Sequence, residues 1–183
     1  MIIAKEKRKQ NIAEYILYMW QVEDIIRALN GATNNIKNYV QQQYNVDEQT
    51  KAQICNWYIT LSHEMQAEGI MQAGHLNRIR ELLLCLKNFH QKVLQQPSQA
   101  LYNSVYHQTL PTIIQLRSKS GDTVKDEIET CFTGIYGYLT LKLQGKEVSS
   151  ETEKAIKQIS TFLAMLADRF REYEEGRLSL TTN

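Results

Sequence analysis

Hydrophobic residues recur along the chain at intervals of three and four positions, and no run alternates with a period of two. The first pattern is typical of amphipathic α-helices, whereas half-buried strands require the second. Helix-breaking residues interrupt the pattern and leave only short connections. The sequence therefore predicts an all-α protein, an antiparallel bundle of about six to seven helices with no β-sheet.

Breakers and capping residues give approximate bounds for these helices. In chain order, they cover residues 9–29, 34–44, 48–68 and 75–94, a fifth from 98, a sixth from 122 to 145 and a last from 150. Pro111 should kink or divide the fifth helix, because proline lacks an amide hydrogen. Ser150 and Glu153 fit a capping box. The segment SKSGD, residues 118–122, is the clearest linker, and its last residue, Asp122, starts the sixth helix.

The sixth predicted helix carries apolar residues on one face and mainly small residues on another. The apolar face comprises Val124, Ile128, Cys131, Ile135 and Leu139, and the second face comprises Thr130, Thr133, Gly134, Gly137 and Leu141. Glycine costs about 1 kcal/mol against alanine inside a helix. We therefore expect Gly134 and Gly137 to be close-packing glycines that let a neighbouring helix approach.

Length and composition favour one domain over residues 1–183, with a flexible basic N-terminus over about 1–8 and a frayed tail over about 177–183. Hydrophobic residues at 43% and charged residues at 22% are ordinary for a globular protein. No stretch approaches the roughly 20 apolar residues of a membrane span. Three widely spaced cysteines form no disulfide framework and no zinc pattern. We expect a cytoplasmic protein that does not contact a membrane.

Glu23 stands where helical spacing calls for an apolar residue. Ile12, Ile16, Met19 and Ile26 form the apolar face around it. The carboxylate is either hydrated at a bundle end, a hydrogen-bond hub for a Tyr, Trp or Arg of another helix, or part of a polar pocket. Arg27, four residues on, is spaced to pair with it along the helix. We favour the hub.

His90 is the only one of four histidines that falls within an apolar stripe, that of the fourth predicted helix. Such a residue is usually a core histidine with one hydrogen bond. An acid–base pair would result if His90 met Glu23 across the bundle. The candidate ligand-pocket residues are Glu23, Arg27, His90, Tyr15 and Trp20, and catalytic residues stay unknown.

The sequence lacks the motifs of several classes of metal site and enzyme. His63-Glu64 opens no two-histidine zinc helix, because position 67 is alanine. No histidine follows a glutamate by three positions, as a di-iron bundle requires. Phosphate-binding loops and a Gly-x-Ser-x-Gly motif are also absent from the sequence. We expect no metal and no cofactor, and we lean towards a protein that is not an enzyme.

Three segments resemble a known family. They are MIIAKEKRKQNIAEYILYMWQVEDIIRA at the start, GIYGYLTLKLQGKEVSSET, and FREYEEGRL near the end. They are similar to an uncharacterised, all-helical bacterial family of Bacteroides-like organisms, classed as a domain of unknown function. The resemblance covers essentially the whole chain and implies one helical domain. It implies no activity, cofactor or functional residue.

Three functional hypotheses follow. The first is a non-enzymatic bundle that acts through protein–protein contacts and forms a homodimer, because four apolar residues point away from the main helix faces: Leu17, Ile25, Leu84 and Met165. The alternative is a bundle that binds or transforms a small molecule in a polar pocket around Glu23, Arg27 and His90. The third and weakest is nucleic-acid contact through Lys5, Lys7, Arg8 and Lys9, in a chain whose net charge is only +1.

Overall fold

A computed structural model describes residues 2–119 and 126–180, with the backbone alone for Ile2. These residues form eight α-helices, one 3-10 helix (Pro97–Gln99) and no strand, which confirms the all-α prediction. The α-helices are α1 (Ile2–Gln10), α2 (Ile12–Ala28), α3 (Thr33–Gln43), α4 (Glu48–Ala67), α5 (Asn77–Leu94), α6 (Ala100–Lys119), α7 (Glu127–Leu143) and α8 (Ser150–Glu174). None of these described helices has the length and apolar character needed to cross a membrane.

The first predicted helix is in fact two helices, α1 and α2, which are separated at Asn11. The Asn11 side chain accepts a hydrogen bond of 3.0 Å from the backbone amide of Ala13, as an N-cap residue does. Helix α1 therefore begins before residue 9, where we expected no helix. The flexibility of the N-terminal segment stays a prediction. The break also raises the number of helices above the six to seven predicted.

The basic residues Lys7, Arg8 and Lys9 lie in the last turn of α1. The sequence placed them at the start of a helix, where the helix dipole disfavours positive charge. A helix C-terminus favours cations instead, and Lys7 also forms an ion pair of 3.0 Å with Glu14. The break at Asn11 thus removes the electrostatic reason for a phosphate-bearing partner at this segment.

Helices α3, α4 and α5 lie within about two residues of their predicted bounds, and Asp47 caps α4 by accepting from the amide of Thr50 at 2.9 Å. Helix α6 is not divided at Pro111. Helix α7 begins after Asp126, whose side chain accepts from the amide of Glu129 at 2.9 Å. The start predicted at Asp122, the end of the SKSGD linker and Val124 lie outside the described residues.

The N-cap of α8 is Ser149 and not Ser150, because the Ser149 hydroxyl accepts from the amide of Thr152 at 3.2 Å. The predicted capping box is therefore wrong by one residue. The carboxylate of Glu153, its other member, instead forms an ion pair of 2.6 Å with Lys142 at the end of α7.

The chain divides into two compact units. Unit 1 comprises Met1–Lys9 and Glu14–Leu82, and unit 2 comprises Gln10–Ala13 and Leu83–Asn183. In unit 1, α3 packs against α4, and in unit 2, α6, α7 and α8 pack against one another. A single domain over the whole chain stays a prediction.

Each unit has an apolar interior supplied by the faces that the helical spacing predicted. Buried side chains of unit 1 include Ile16, Met19, Ile26, Ile36, Val40, Tyr58, Leu61 and Met65. Those of unit 2 include Phe89, Val93, Tyr102, Ile113, Cys131, Phe132, Ile159, Phe162, Leu163, Leu166 and Phe170. Burial raises the pKa of the Cys131 thiol, so this cysteine is an apolar core residue rather than a nucleophile.

The small-residue face of α7 lines a cavity of about 270 Å³ together with residues of α6 and α8, among them Leu116 and Ile156. A Cβ atom added at Gly134 would overlap Leu116 Cδ2, so this glycine permits a close approach of α6. At Gly137, an added Cβ would meet no described atom within 4 Å. The expectation of close packing therefore does not hold at Gly137.

Candidate functional site

Glu23 lies on α2 and is completely buried in unit 1. One carboxylate oxygen, Oε2, is 2.6 Å from Nδ1 of His75, and the other, Oε1, accepts a hydrogen bond of 3.0 Å from the backbone amide of Leu76. Because a carboxylate only accepts, Nδ1 of His75 carries the shared proton. The two bonds fasten the segment that precedes α5 to α2.

His75 is the partner that sequence reasoning missed. Its ring stacks on Trp20, with centroids 4.2 Å apart and planes inclined by 10°. The side chain is 32% exposed, so the pair with Glu23 joins a buried group to a partly hydrated one. The favoured hub interpretation named Tyr, Trp or Arg as partners, whereas the observed partners are a histidine and a main-chain amide.

Arg27 fastens the same segment from the next turn of α2. Its guanidinium donates to the carbonyl oxygens of Ile70 and Gly74, at 3.3 Å from Nη2 to Ile70. It also forms an ion pair of 2.7 Å with Asp24. The predicted Glu23–Arg27 pair is replaced by this Asp24–Arg27 pair, because Glu23 is turned towards His75 and Leu76. Tyr15, the remaining candidate on α2, is half-buried.

His90 lies on α5 in unit 2 and is completely buried. Its Nδ1 is 2.6 Å from the Tyr102 hydroxyl, and its ring contacts Tyr106 and Phe162 at centroid distances of 4.8 and 5.6 Å. Burial lowers the pKa of His90 to about 4, with the Asp126 carboxylate acting in the opposite direction. The ring is therefore neutral at pH 7.

The position of the single ring proton follows from Tyr102. This tyrosine is 1% exposed, and burial raises the pKa of its hydroxyl, which stays protonated. The only hydrogen-bond partner of this hydroxyl among the described residues is Nδ1 of His90, so its proton has an acceptor only if the hydroxyl donates to Nδ1. We therefore assign the proton of the neutral ring to Nε2. Nε2 has no hydrogen-bond partner within residues 2–119 and 126–180.

His90 lines a cavity of about 260 Å³ in unit 2. The other described residues that line it come from α5, the last turn of α6 and the start of α7: Lys87, Gln91, Arg117, Asp126, Glu127 and Ile128. Two side chains are cationic and two are anionic. Sequence reasoning found His90 but none of the four charged residues, because they lie on three helices that only the fold brings together.

The charges of the cavity form two long ion pairs. Lys87 Nζ is 3.4 Å from Asp126 Oδ2, and Arg117 Nη2 is 3.9 Å from Glu127 Oε1. Both distances exceed the 2.7–2.9 Å of a charge-assisted hydrogen bond. The second oxygen of Glu127 accepts a bond of 3.1 Å from the Tyr106 hydroxyl, whose pKa burial and this carboxylate raise to about 12. The cavity therefore has hydrogen-bond donors on α5 and α6 (Lys87 and Arg117) and acceptors at the start of α7 (Asp126 and Glu127).

The predicted pocket residues fall in both units. Glu23, Arg27, Tyr15 and Trp20 belong to unit 1, whereas His90 belongs to unit 2. The cavity that His90 lines contains none of the other four. A common pocket, and with it the Glu23–His90 acid–base pair, stays a prediction. Among the described residues, no group of three or more His, Cys, Asp or Glu side chains is arranged to hold a metal ion.

Comparison with known proteins gives a family but no activity. The family model described as "Domain of unknown function (DUF4924)" matches residues 1–177, so the chain belongs to this family. The resemblance of the three sequence segments to a family of unknown function is thereby confirmed, and the bacterial origin stays a prediction. Neither a curated protein nor a solved structure matches the chain.

Proposed function

We propose that this protein binds a small polar molecule in the cavity of unit 2 that is lined by His90. The observation that carries the proposal is the buried Nε2 of His90, which has no partner within the part of the chain that the structure describes. Buried polar atoms in folded proteins are nearly always hydrogen-bonded, and leaving one unbonded costs about 1–3 kcal/mol. A ligand atom in the cavity supplies the missing partner.

The surroundings of Nε2 support a binding site. The cavity volume of about 260 Å³ lies just below the range for drug-sized ligands, so it suits a small metabolite. Lys87 and Arg117 sit in long ion pairs with carboxylates of α7. A ligand can therefore take over the Lys87 ammonium group without breaking a short ion pair between Lys87 and Asp126. Water alone at Nε2 is the competing explanation that the experiment must distinguish.

The test is a screen of polar metabolites by thermal shift, followed by calorimetric titration of every compound that stabilises the protein. Lys87→Met removes a cavity charge from a side chain that is 42% exposed, so the variant should fold. Lys92→Met, an exposed lysine later on the same helix, is the matched control. We expect Lys87→Met to weaken binding at least tenfold and Lys92→Met to leave it unchanged. A screen without any stabilising compound, or equal affinities in both variants, would refute the proposal.

Self-association is the second candidate, and an exposed leucine favours it. Leu84 on α5 is 55% exposed, whereas Leu17, Ile25 and Met165, the other residues that motivated a homodimer, are half-buried. Burying a leucine contributes about 1.5–3 kcal/mol, so a second copy of the chain could cover this position. Light scattering should show a dimer for the wild type and a monomer for Leu84→Glu. A wild type that stays monomeric at high concentration contradicts the candidate.

Two other hypotheses stay predictions. A cytoplasmic location rests on the odd number of cysteines, Cys55, Cys85 and Cys131, all of which are free. Nucleic-acid contact rests on the basic residues of α1, although Lys7 is engaged by Glu14. Salt-sensitive binding that disappears on removal of residues 1–9 would support this contact. Equal binding by the shortened chain would exclude it.

A further inference from the structure

We propose that the ligand of the His90 cavity is a small zwitterion, whose carboxylate binds the α5 wall and whose ammonium group binds the carboxylates of α7. This inference rests on the function proposed above and assigns the chemical class of the ligand. It depends on three features of the cavity, which are the donor on His90, the opposite charges of the two walls and the balance between them.

The first feature is the direction of the hydrogen bond that Nε2 can make. The Tyr102 hydroxyl donates to Nδ1 at 2.6 Å, so Nε2 of the neutral ring carries the hydrogen and can only donate. Its partner must be an acceptor, for which a carboxylate or carbonyl oxygen is suitable. A ligand that presents only ammonium or amide N–H groups cannot satisfy this atom.

The second feature is the arrangement of the α5 wall. Lys87, His90 and Gln91 stand at positions i, i+3 and i+4, so their side chains share one face of the helix. The Lys87 ammonium and the Nε2–H of His90 therefore point to the same side of the cavity. Two donors from adjacent helical turns, one of them charged, form a site for a carboxylate group.

The opposite wall, at the start of α7, is anionic. Asp126 uses Oδ1 as the helix cap, at 2.9 Å from the amide of Glu129, and presents Oδ2 to Lys87. Glu127 uses Oε2 for the Tyr106 hydroxyl and presents Oε1 to Arg117. Each carboxylate thus has one oxygen held by the fold and a second oxygen in a long ion pair. The second oxygens are suited to an ammonium group.

The third feature is the charge balance. Among the described residues that line the cavity are two cations, two anions and a neutral histidine, whose formal charges sum to zero. A ligand with a single charge would leave a net charge in a partly desolvated site, which is costly. A zwitterion places its carboxylate against Lys87 and its ammonium against Asp126 and Glu127, and the balance is kept. The long Lys87–Asp126 ion pair is then replaced by two shorter charge-assisted hydrogen bonds, one from Lys87 to the ligand carboxylate and one from the ligand ammonium to Asp126.

The experiment compares ligands that differ in one charge. The probes are free α-amino acids and short ω-amino acids, their N-acetyl derivatives, which lack the ammonium charge, and their amides, which lack the carboxylate. In calorimetric titrations of the full-length protein, we expect at least one zwitterion to bind and both of its blocked derivatives to bind at least tenfold more weakly.

Two variants test which wall of the cavity binds the carboxylate of the ligand and which binds its ammonium group. In Lys87→Met, the preference for the free carboxylate over the amide should shrink, while the preference for the free ammonium over the N-acetyl form is kept. Glu127→Gln retains an acceptor for Tyr106. In this variant, the preference for the free ammonium should shrink, while the preference for the free carboxylate is kept. Nitrogen-15 NMR of His90 should show a neutral ring protonated at Nε2 at pH 7, and protonation at Nδ1 would overturn the inference.

The outcomes separate this inference from the proposed function. If singly charged or uncharged compounds bind as tightly as zwitterions, and Lys87→Met weakens them, the site is real and the ligand class is wrong. If no compound in the broad metabolite screen binds, the proposed function fails and the inference fails with it.

Discussion

Glu23→Leu removes a fully buried carboxylate from both of its hydrogen-bond partners in unit 1. The amide of Leu76, a residue with no exposed surface, loses its acceptor, which costs about 1–3 kcal/mol. Loss of the charge-assisted bond to His75 adds about 1.5–3 kcal/mol. That contribution is at the low end because the His75 side chain is 32% exposed and can bond to water. The apolar surface that leucine buries offsets part of the loss, so we expect unfolding to become easier by about 3 kcal/mol.

Two further variants test this reasoning. Glu23→Gln keeps an acceptor for the Leu76 amide, and its NH₂ group can donate to Nδ1 once His75 carries its proton on Nε2. The expected loss is about 1 kcal/mol, the net contribution of one ordinary hydrogen bond. Glu14→Gln removes an exposed carboxylate that pairs with Lys7, and should change stability by less than about 0.5 kcal/mol.

The assay is urea unfolding followed by circular dichroism, together with hydrogen exchange at the Leu76 amide. For a chain of this length, 3 kcal/mol corresponds to a decrease of about 6–12 °C in the melting temperature. The Leu76 amide should exchange faster in Glu23→Leu than in Glu23→Gln. If Glu23→Leu is as stable as the wild type, the two hydrogen bonds do not hold the segment before α5, and the assignment of Glu23 to the architecture is wrong.

Three more predictions concern helix packing, capping and pH. Gly137→Ala should stabilise the protein by about 0.5–1 kcal/mol, because the added methyl group meets open space, whereas Gly134→Ala should destabilise it through overlap with α6; thermal melts compare the two. Ser149→Ala should cost about 1 kcal/mol and Ser150→Ala almost nothing, since the first is the N-cap of α8, and equal urea midpoints would contradict this. The pKa of His90 is about 4 in the folded protein against an ordinary 6.5, so only the unfolded chain takes up a proton between these values. Stability should therefore fall by up to about 3 kcal/mol as the pH falls from 6.5 to 4, and His90→Gln should flatten this dependence in urea titrations across the window.

Helical spacing predicted most of the fold because it depends on which residues are buried, and burial is regular within one helix. The predictions made from helical spacing are wrong where a single polar side chain determines the end of a helix. Asn11 separates α1 from α2, and its side chain accepts a hydrogen bond from the Ala13 amide. The apolar pattern continues on both sides of it. The sequence N-I-A-E, with Glu14 three residues after Asn11, is an N-terminal capping signature that would have placed the break.

The candidate site was less predictable because its residues come from different helices. Periodicity identified Glu23 and His90 as polar residues on apolar faces, and both are completely buried. It gave no information about their partners. His75 lies before α5 begins, where no face is defined, and Asp126 and Glu127 belong to the start of a helix that the sequence placed at Asp122. Such partners depend on how helix ends meet, which a single sequence does not encode as a repeating pattern.

The two buried polar residues differ in whether the protein itself satisfies them. Both carboxylate oxygens of Glu23 have partners within unit 1, and those partners fasten the segment that leads into α5. A ligand that reached either oxygen would compete with these partners. We therefore infer that the burial of Glu23 serves the architecture, and its place in a ligand pocket stays a prediction. His90 has one nitrogen bound to Tyr102 and the other unbonded within the described residues, beside a cavity with charged walls. Because leaving a buried donor unbonded is costly, this nitrogen is the observation on which the proposed ligand rests.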